Sequence, residues 1–139
     1  MPVRFSELLD AFTFVGAGAM HEHEAFLCKQ SGQIYWHSES GGEFDELPED
    51  IDDAGKYIRI PDKRELGLGK ALALEFTEQR LLREFDEVQR IFRKKGAYAR
   101  FKHLLERAGA LKQWYEFEAS AQEKALREWC KENSIEVSD

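Results

Sequence analysis

The spacing of apolar side chains near the N-terminus predicts a short amphipathic helix. Its apolar positions recur at intervals of three and four, which places them on one helical face: Phe5, Leu8, Leu9 and Phe12. Ser6 is a candidate N-cap for this helix. The run Gly16-Ala17-Gly18-Ala19 is expected to end it and to act as a flexible joint.

Three segments rich in aromatic and aliphatic residues predict β-strands over residues 24–30, 34–38 and 56–60. Ser31-Gly32 between the first two strands is a hairpin signal. The connection between the second and third strands, residues 39–53, holds eight carboxylates and no Lys or Arg. This acidic segment is expected to be a solvated loop.

From Asp62 onward the apolar spacing is that of helices. Asp62 followed by Glu65 is a capping-box pattern, which predicts a helix that runs to about residue 80. Three further helices are predicted, with Gly96 and Gly109 as terminators: residues 84–95, 97–108 and 110–132. Asn133 is expected to provide a left-handed cap for the last helix.

These elements predict an α+β fold with an N-terminal helix, a small three-stranded antiparallel sheet and a four-helix C-terminal layer. A three-stranded sheet cannot stabilise itself, so its apolar face is expected to pack on helices. The length of 139 residues fits a single domain. Residues 1–61 would form its helix-plus-sheet part, and residues 62–139 its helical part.

Composition narrows the class of protein. The net charge of −7 favours solubility and argues against non-specific binding of nucleic acid by the whole molecule. The sequence holds no apolar run near the roughly 20 residues of a membrane span, and we recognise no secretion signal. Cys28 and Cys130 are expected to be reduced thiols. The predicted location is therefore cytoplasmic, with no membrane partner.

Several segments resemble the uncharacterised bacterial protein family (UPF) 0158, and the resemblance spans nearly the whole chain. The segments that carry it are Gly32-Gln33-Ile34-Tyr35-Trp36, Tyr57-Ile58 through Pro61-Asp62-Lys63-Arg64, Gly96-Ala97-Tyr98-Ala99-Arg100-Phe101-Lys102, Leu104-Leu105-Glu106, Trp114-Tyr115-Glu116-Phe117-Glu118 and Leu126-Arg127-Glu128-Trp129-Cys130. The resemblance implies a bacterial cytosolic protein. It supplies no activity, cofactor or catalytic residue.

The run His21-Glu22-His23-Glu24 has the side chains of a metal site, and His37 would be a further ligand from across the hairpin. Two-residue spacing is a weak metal signature, so a polar strand entrance is the favoured interpretation, with no metal and no cofactor. In the acidic segment, Asp50 opens a calcium-loop pattern that fails because Pro61 stands where the motif needs Glu.

Glycine-rich phosphate loops are also poor matches. Gly67-Leu68-Gly69-Lys70 falls inside a predicted helix, and Ala71 replaces the Ser or Thr that a phosphate loop requires. Close packing of Gly69 against a neighbouring element explains this glycine better.

Residues 90–107 hold seven Lys or Arg residues and one carboxylate, and this basic segment is the first candidate for a binding surface. On the third predicted C-terminal helix, Arg100, His103 and Arg107 form one stripe. The binding candidates are Arg93, Lys94, Tyr98, Arg100, His103 and Arg107. A solvated helix face is favoured over a nucleic-acid site, because charge runs are usually solvated and cations near a helix C-terminus interact favourably with the helix dipole.

Glu118 is a candidate buried polar residue, since it lies near the middle of the apolar arc of the last helix. A buried carboxylate has to be paired, hydrogen-bonded or protonated. A structural partner such as an Arg is favoured over a role as general base with a raised pKa.

The leading functional hypothesis is a binding module for a protein partner, with separate acidic and basic surfaces. One alternative is nucleic-acid binding by the basic segment from Arg90 to Arg107, with Tyr98 stacking on bases. Another is a small enzyme that uses Glu118 or the pair His21/His23, although no catalytic residue is assigned and a non-enzyme is favoured. A dimer is allowed, and the oligomeric state stays open.

Overall fold

The computed structural model describes residues 2–17, 22–39 and 46–139. The fold is α+β, as predicted. The helices are α1 (Phe5–Gly16), α2 (Lys70–Arg80), α3 (Phe85–Ile91), α4 (Ala97–Arg107) and α5 (Leu111–Glu132). The strands are β1 (Val3–Arg4), β2 (His23–Cys28), β3 (Ile34–Ser38), β4 (Tyr57–Arg59) and β5 (Val137–Ser138).

The predicted hairpin and third strand form an antiparallel sheet in the order β3-β2-β4. The hairpin closes through a hydrogen bond from the Gly32 N–H to the Cys28 carbonyl at 2.9 Å. In its register Ala25 lies opposite Trp36 and Leu27 lies opposite Ile34. Because residues opposite one another share a face of the sheet, these four side chains point to the same side.

Helix α1 packs against strands β2 and β3. Its buried residues are Leu8, Ala11, Phe12 and Val15, and they share the core with Ala25 and Leu27 of β2. The predicted Ser6 cap is wrong, because α1 already begins at Phe5 with Arg4 as its N-cap and has no side-chain cap bond. Arg4 belongs to β1, which pairs in parallel with β5, and two-residue strands leave no periodic signal in a sequence.

The chain groups into two compact units, Met1–Leu66 with Ala125–Asp139, and Gly67–Lys124. The core of the second unit is aromatic. The Trp114 ring lies 5.4 Å from the Phe76 ring and 5.1 Å from the Phe101 ring, both in edge-to-face geometry, and the Phe117 ring lies 5.2 Å from the Phe76 ring at a tilt of 59°. All four residues are aromatic positions of predicted helices.

The start predicted for the first C-terminal helix is wrong. Asp62 does accept a hydrogen bond from the Glu65 N–H at 2.9 Å, as the capping pattern predicts, but this bond stabilises only a turn. Gly67 then adopts a φ of 69°, outside the helical region, and α2 begins at Lys70. Residues Gly67, Leu68 and Gly69 therefore precede α2, and only Lys70 of this run belongs to the helix.

The C-terminal cap of α5 lies one residue later than predicted. Ser134, and not Asn133, has the positive φ, at 56°. The Ile135 N–H donates to the Cys130 carbonyl at 2.8 Å, which is the bond of a Schellman motif. The side-chain amide of Asn133 instead donates a hydrogen bond to the Trp129 carbonyl at 2.8 Å.

We expect Gly109→Ala to destabilise the protein by about 1–2 kcal/mol, because alanine at its φ of 68° places Cβ against the following carbonyl. Gly109 closes α4 in the same motif, in which the Ala110 N–H donates to the Leu105 carbonyl at 2.9 Å. Urea unfolding measures the change. Gly16→Ala is the matched control, since Gly16 ends α1 without a positive φ and has space for a methyl group. Equal destabilisation by both substitutions would contradict the prediction.

Candidate functional site

An open groove of ≈ 460 Å³ lies on the second unit, and its lining is rich in cations. We call it the basic groove, and it is lined by Glu87, Arg90, Ile91, Arg93, Lys94 and Arg100. The four cationic residues are exposed, whereas Ile91 and Glu87 are half-buried. An anion in this groove therefore meets four positive charges and one negative charge over a partly apolar floor.

The turn after α3 places two of these cations. Helix α3 ends at Ile91, well before the predicted end at residue 95, and successive hydrogen bonds continue the chain as a turn. The Phe92 ring packs edge-on against Phe101 at 5.5 Å and fixes this turn on α4. Arg93 and Lys94 follow Phe92 directly and are exposed at the rim of the groove.

Helices α3 and α4 run past each other in opposite directions. Glu87 in the first turn of α3 forms a 3.5 Å ion pair with Arg107 in the last turn of α4. Near the start of α4, Arg100 lines the groove together with Arg93 and Lys94. The Arg107 side chain is 69% exposed, so this ion pair contributes little to stability. It does place a positive charge beside the one carboxylate of the groove.

Three of the six binding candidates line the basic groove, namely Arg93, Lys94 and Arg100. Arg107 instead lines a neighbouring depression of ≈ 160 Å³. His103 is exposed on α4 but is not part of the described lining of either cavity. The predicted stripe of Arg100, His103 and Arg107 thus contributes one residue to the groove.

Tyr98 is engaged in packing within the second unit and is not among the described residues that line the groove. Its ring meets the Phe92 ring edge-on at 5.4 Å, and its hydroxyl lies 3.6 Å from the position that a Cβ on Gly69 would occupy. Burial raises the pKa of the Tyr98 phenol, and the charge of Glu118 raises it further. A Cβ on Gly69 would be in ordinary van der Waals contact with Tyr98, so close packing does not require a glycine at this position.

Glu118 differs from its predicted environment. It is half-buried, not fully buried, and it has an interaction partner in addition to its effect on Tyr98. The structural interpretation of Glu118, in which its carboxylate is paired within the fold, stays a prediction.

The two described histidines of the metal hypothesis, His23 and His37, lie on opposite faces of the sheet. His21 lies outside the described residues. His23 lies opposite Ser38 in the sheet and His37 lies opposite Glu24, so His37 shares a face of the sheet with Glu24 and not with His23. The His23 ring packs 4.6 Å from the Phe14 ring. Within the described residues, no group of three or more His, Cys, Asp or Glu side chains is placed to hold a metal ion.

The described part of the acidic segment forms turns stabilised from within the same loop. Asp50 forms a 2.9 Å ion pair with Lys56, and the hydrogen bond from Lys56 lowers the pKa of the Asp50 carboxyl. Asp53 accepts a hydrogen bond from the Gly55 N–H at 2.9 Å. Glu46, Glu49 and Asp52 are exposed. Residues 40–45 of this segment lie outside the described part of the chain.

The two cysteines have opposite environments. The Ser31 hydroxyl donates a hydrogen bond to the Cys28 sulfur in the hairpin turn and lowers the pKa of this thiol. Burial raises the pKa of the Cys130 thiol to about 11. Both are unlinked thiols, as predicted.

We expect iodoacetamide at pH 8 to alkylate Cys28 at least about tenfold faster than Cys130, because only the thiolate reacts, the pKa of Cys28 is lowered and the pKa of buried Cys130 is raised to about 11. Mass spectrometry of the folded protein measures both rates. Ser31→Ala removes the donor that stabilises the Cys28 thiolate, so the pH dependence of Cys28 alkylation should move to higher pH while that of Cys130 stays unchanged. Equal rates at the two cysteines would contradict the assignment.

Sequence reasoning missed Glu87 and Ile91 as lining residues. Their spacing from Arg90 places all three on neighbouring positions of α3, and this i, i+3, i+4 relation was the available signal. What the spacing could not reveal is that α4 would pack beside this face.

Comparison of the chain with protein-family models, curated proteins and solved structures found no match. The resemblance to the uncharacterised bacterial family therefore stays a prediction. In the part of the chain that the structure describes, no helix has the length and apolar character that crossing a membrane requires.

Proposed function

We propose that this protein is a binding module that recognises an acidic segment of a protein partner in its basic groove. The observation that carries the proposal is the lining of the groove, in which Arg90, Arg93, Lys94 and Arg100 face one carboxylate, Glu87. The chain as a whole has a net charge of −7, so this local excess of cations runs against the overall balance. Electrostatic complementarity of this kind gives specificity and fast association.

The shape and composition of the groove favour a polypeptide ligand. Half-buried Ile91 offers an apolar contact between the cations, which suits a peptide with aliphatic side chains among its carboxylates. Single-stranded nucleic acid gains much of its affinity from aromatic side chains that stack on bases. Tyr98, the candidate for that role, is 41% exposed, but its ring contacts Phe92 and it is not among the described residues that line the groove. A nucleic-acid ligand is therefore the less favoured occupant.

A cytoplasmic location and a bacterial source fit this proposal, and both stay predictions from the sequence. An enzymatic role is not favoured. Glu118, one of the candidates for such a role, is half-buried and already has a partner.

Fluorescence anisotropy with a labelled oligoglutamate peptide tests the proposal. The groove variant carries Arg93→Glu, Lys94→Glu and Arg100→Glu, and it should bind the peptide about tenfold more weakly than the wild type or worse, because like charges meet in the groove. Affinity of the wild type should fall as salt is added.

The control variant carries Lys112→Glu, Lys124→Glu and Lys131→Glu, three exposed lysines of α5, and it changes the net charge by the same amount. It should keep most of the wild-type affinity. An equal loss of peptide affinity in both variants would mean that net charge, and not the groove, determines binding. A wild-type protein that binds an oligothymidine strand more tightly than the peptide would shift the assignment to nucleic acid.

A further inference from the structure

We infer that the acidic partner is a second copy of this chain, which places residues 46–53 of its acidic segment in the basic groove. This inference rests on the proposed function, because it names the ligand of the same groove. It concerns only the described part of the acidic segment.

Residues 46–53 have the chemistry that the groove requires. The sequence Glu-Leu-Pro-Glu-Asp-Ile-Asp-Asp holds five carboxylates, two aliphatic side chains and no cation. All five acidic residues are exposed in the single chain, whereas Leu47 and Ile51 are half-buried. The segment is thus an anionic surface with apolar positions, opposite in charge to a cationic groove with an apolar floor.

The hydrogen bonds and ion pair described within the loop involve only two of the five carboxylates of the segment. Asp50 is held by Lys56, and Asp53 is held by the Gly55 N–H, so these two residues stabilise the turns. Glu46, Glu49 and Asp52 are exposed on the same short stretch. These three carboxylates are the ones that we assign to Arg93, Lys94 and Arg100 of the second copy.

The net charge of −7 on each copy does not prevent this contact. At physiological ionic strength the screening length is about 8 Å, so repulsion between distant charges is largely screened whereas charges in contact still attract. Both surfaces are exposed in the single chain, which makes them accessible to another molecule. When two copies exchange their segments reciprocally, the contact closes under two-fold symmetry and uses both grooves. We therefore expect a dimer.

A charge-swap experiment tests the inference. The segment variant carries Glu46→Lys, Glu49→Lys and Asp52→Lys, and it is compared with the groove variant defined above. In sedimentation velocity, each variant alone should dimerise about tenfold more weakly than the wild type or worse, because groove and segment then carry the same charge. An equimolar mixture should recover a heterodimer, since each groove again meets a segment of opposite charge.

A protein that combines all six substitutions should dimerise again, which shows that the variants fold and that only the charge relation matters. Far-UV circular dichroism checks each variant, and the control variant of α5 should dimerise like the wild type. A mixture that stays monomeric would overturn the inference, as would a segment variant that dimerises like the wild type. A concentration-independent monomer of the wild type would also overturn it.

The two proposals can fail separately. If the wild type is monomeric but still binds oligoglutamate in a groove-dependent manner, the groove recognises acidic peptides and the partner is another protein. If oligoglutamate does not bind and the groove variant behaves like the wild type in both assays, the proposed function fails as well.

Discussion

Replacing Trp114 by alanine should lower the free energy of unfolding by about 3–5 kcal/mol, one of the two largest effects that we expect from a single substitution in this chain. Trp114 is 1% exposed and lies between Phe76 and Phe101 in edge-to-face contact. Its removal loses the transfer free energy of the indole and leaves a cavity among rings that cannot close around it. Urea unfolding followed by far-UV circular dichroism measures the change.

The neighbouring residue provides the control. Tyr115 is 46% exposed, and its ring lies 5.8 Å from the Lys102 ammonium, an exposed cation–π contact worth about 0.5–1 kcal/mol. Tyr115→Ala should therefore destabilise the protein by no more than about 1 kcal/mol. Similar losses for the two substitutions would mean that the aromatic cluster is not the core of the second unit.

The elements that the sequence predicts best are those with strong periodicity and clear turn residues. Strand β3 has the predicted bounds, and α4 and α5 differ from their predicted ranges by a single residue at one end. Gly32 and Gly109 mark real turns, because the left-handed conformation that each turn needs favours glycine over every other residue. Local preference and tertiary structure agree at these positions.

The predictions are wrong where a local pattern does not determine the structure of the residues that follow it. The Asp62 cap bond forms as predicted, yet the helix does not follow, because Gly67 adopts a left-handed conformation before the second turn is complete. The Ser6 cap fails because β1 runs directly into α1, and β1 exists only through its pairing with β5 at the far end of the chain. Contacts between residues so distant in sequence leave no trace in local spacing.

The candidate site was predictable in charge but not in geometry. The sequence identified the cations, but a helical stripe does not reveal where the neighbouring helix ends. Because α3 and α4 run in opposite directions, only Arg100 near the start of α4 reaches the turn that carries Arg93 and Lys94. Arg107 lies about 10 Å further along α4, at 1.5 Å per residue, and meets Glu87 instead.

We expect Phe12→Ala to destabilise the protein by about 3–5 kcal/mol, because it removes a large buried side chain from the first unit. Phe12 is 1% exposed on the face of α1 that packs against β2. The same face buries Leu8, Ala11 and Val15. Because the surroundings of Phe12 are already packed, solvent-exposed side chains cannot move in to fill the cavity that the ring leaves. Urea unfolding at fixed pH measures the loss.

Thr13→Ala is the matched control, since Thr13 is the next residue of α1 and is exposed. Its hydroxyl donates to the Leu9 carbonyl of the same helix at 2.9 Å, a local bond that contributes little to helix stability. We expect this substitution to change the free energy of unfolding by no more than about 0.5 kcal/mol. If Phe12→Ala were equally mild, helix α1 would not be what covers the apolar face of the sheet, and the core of the first unit would have to lie elsewhere.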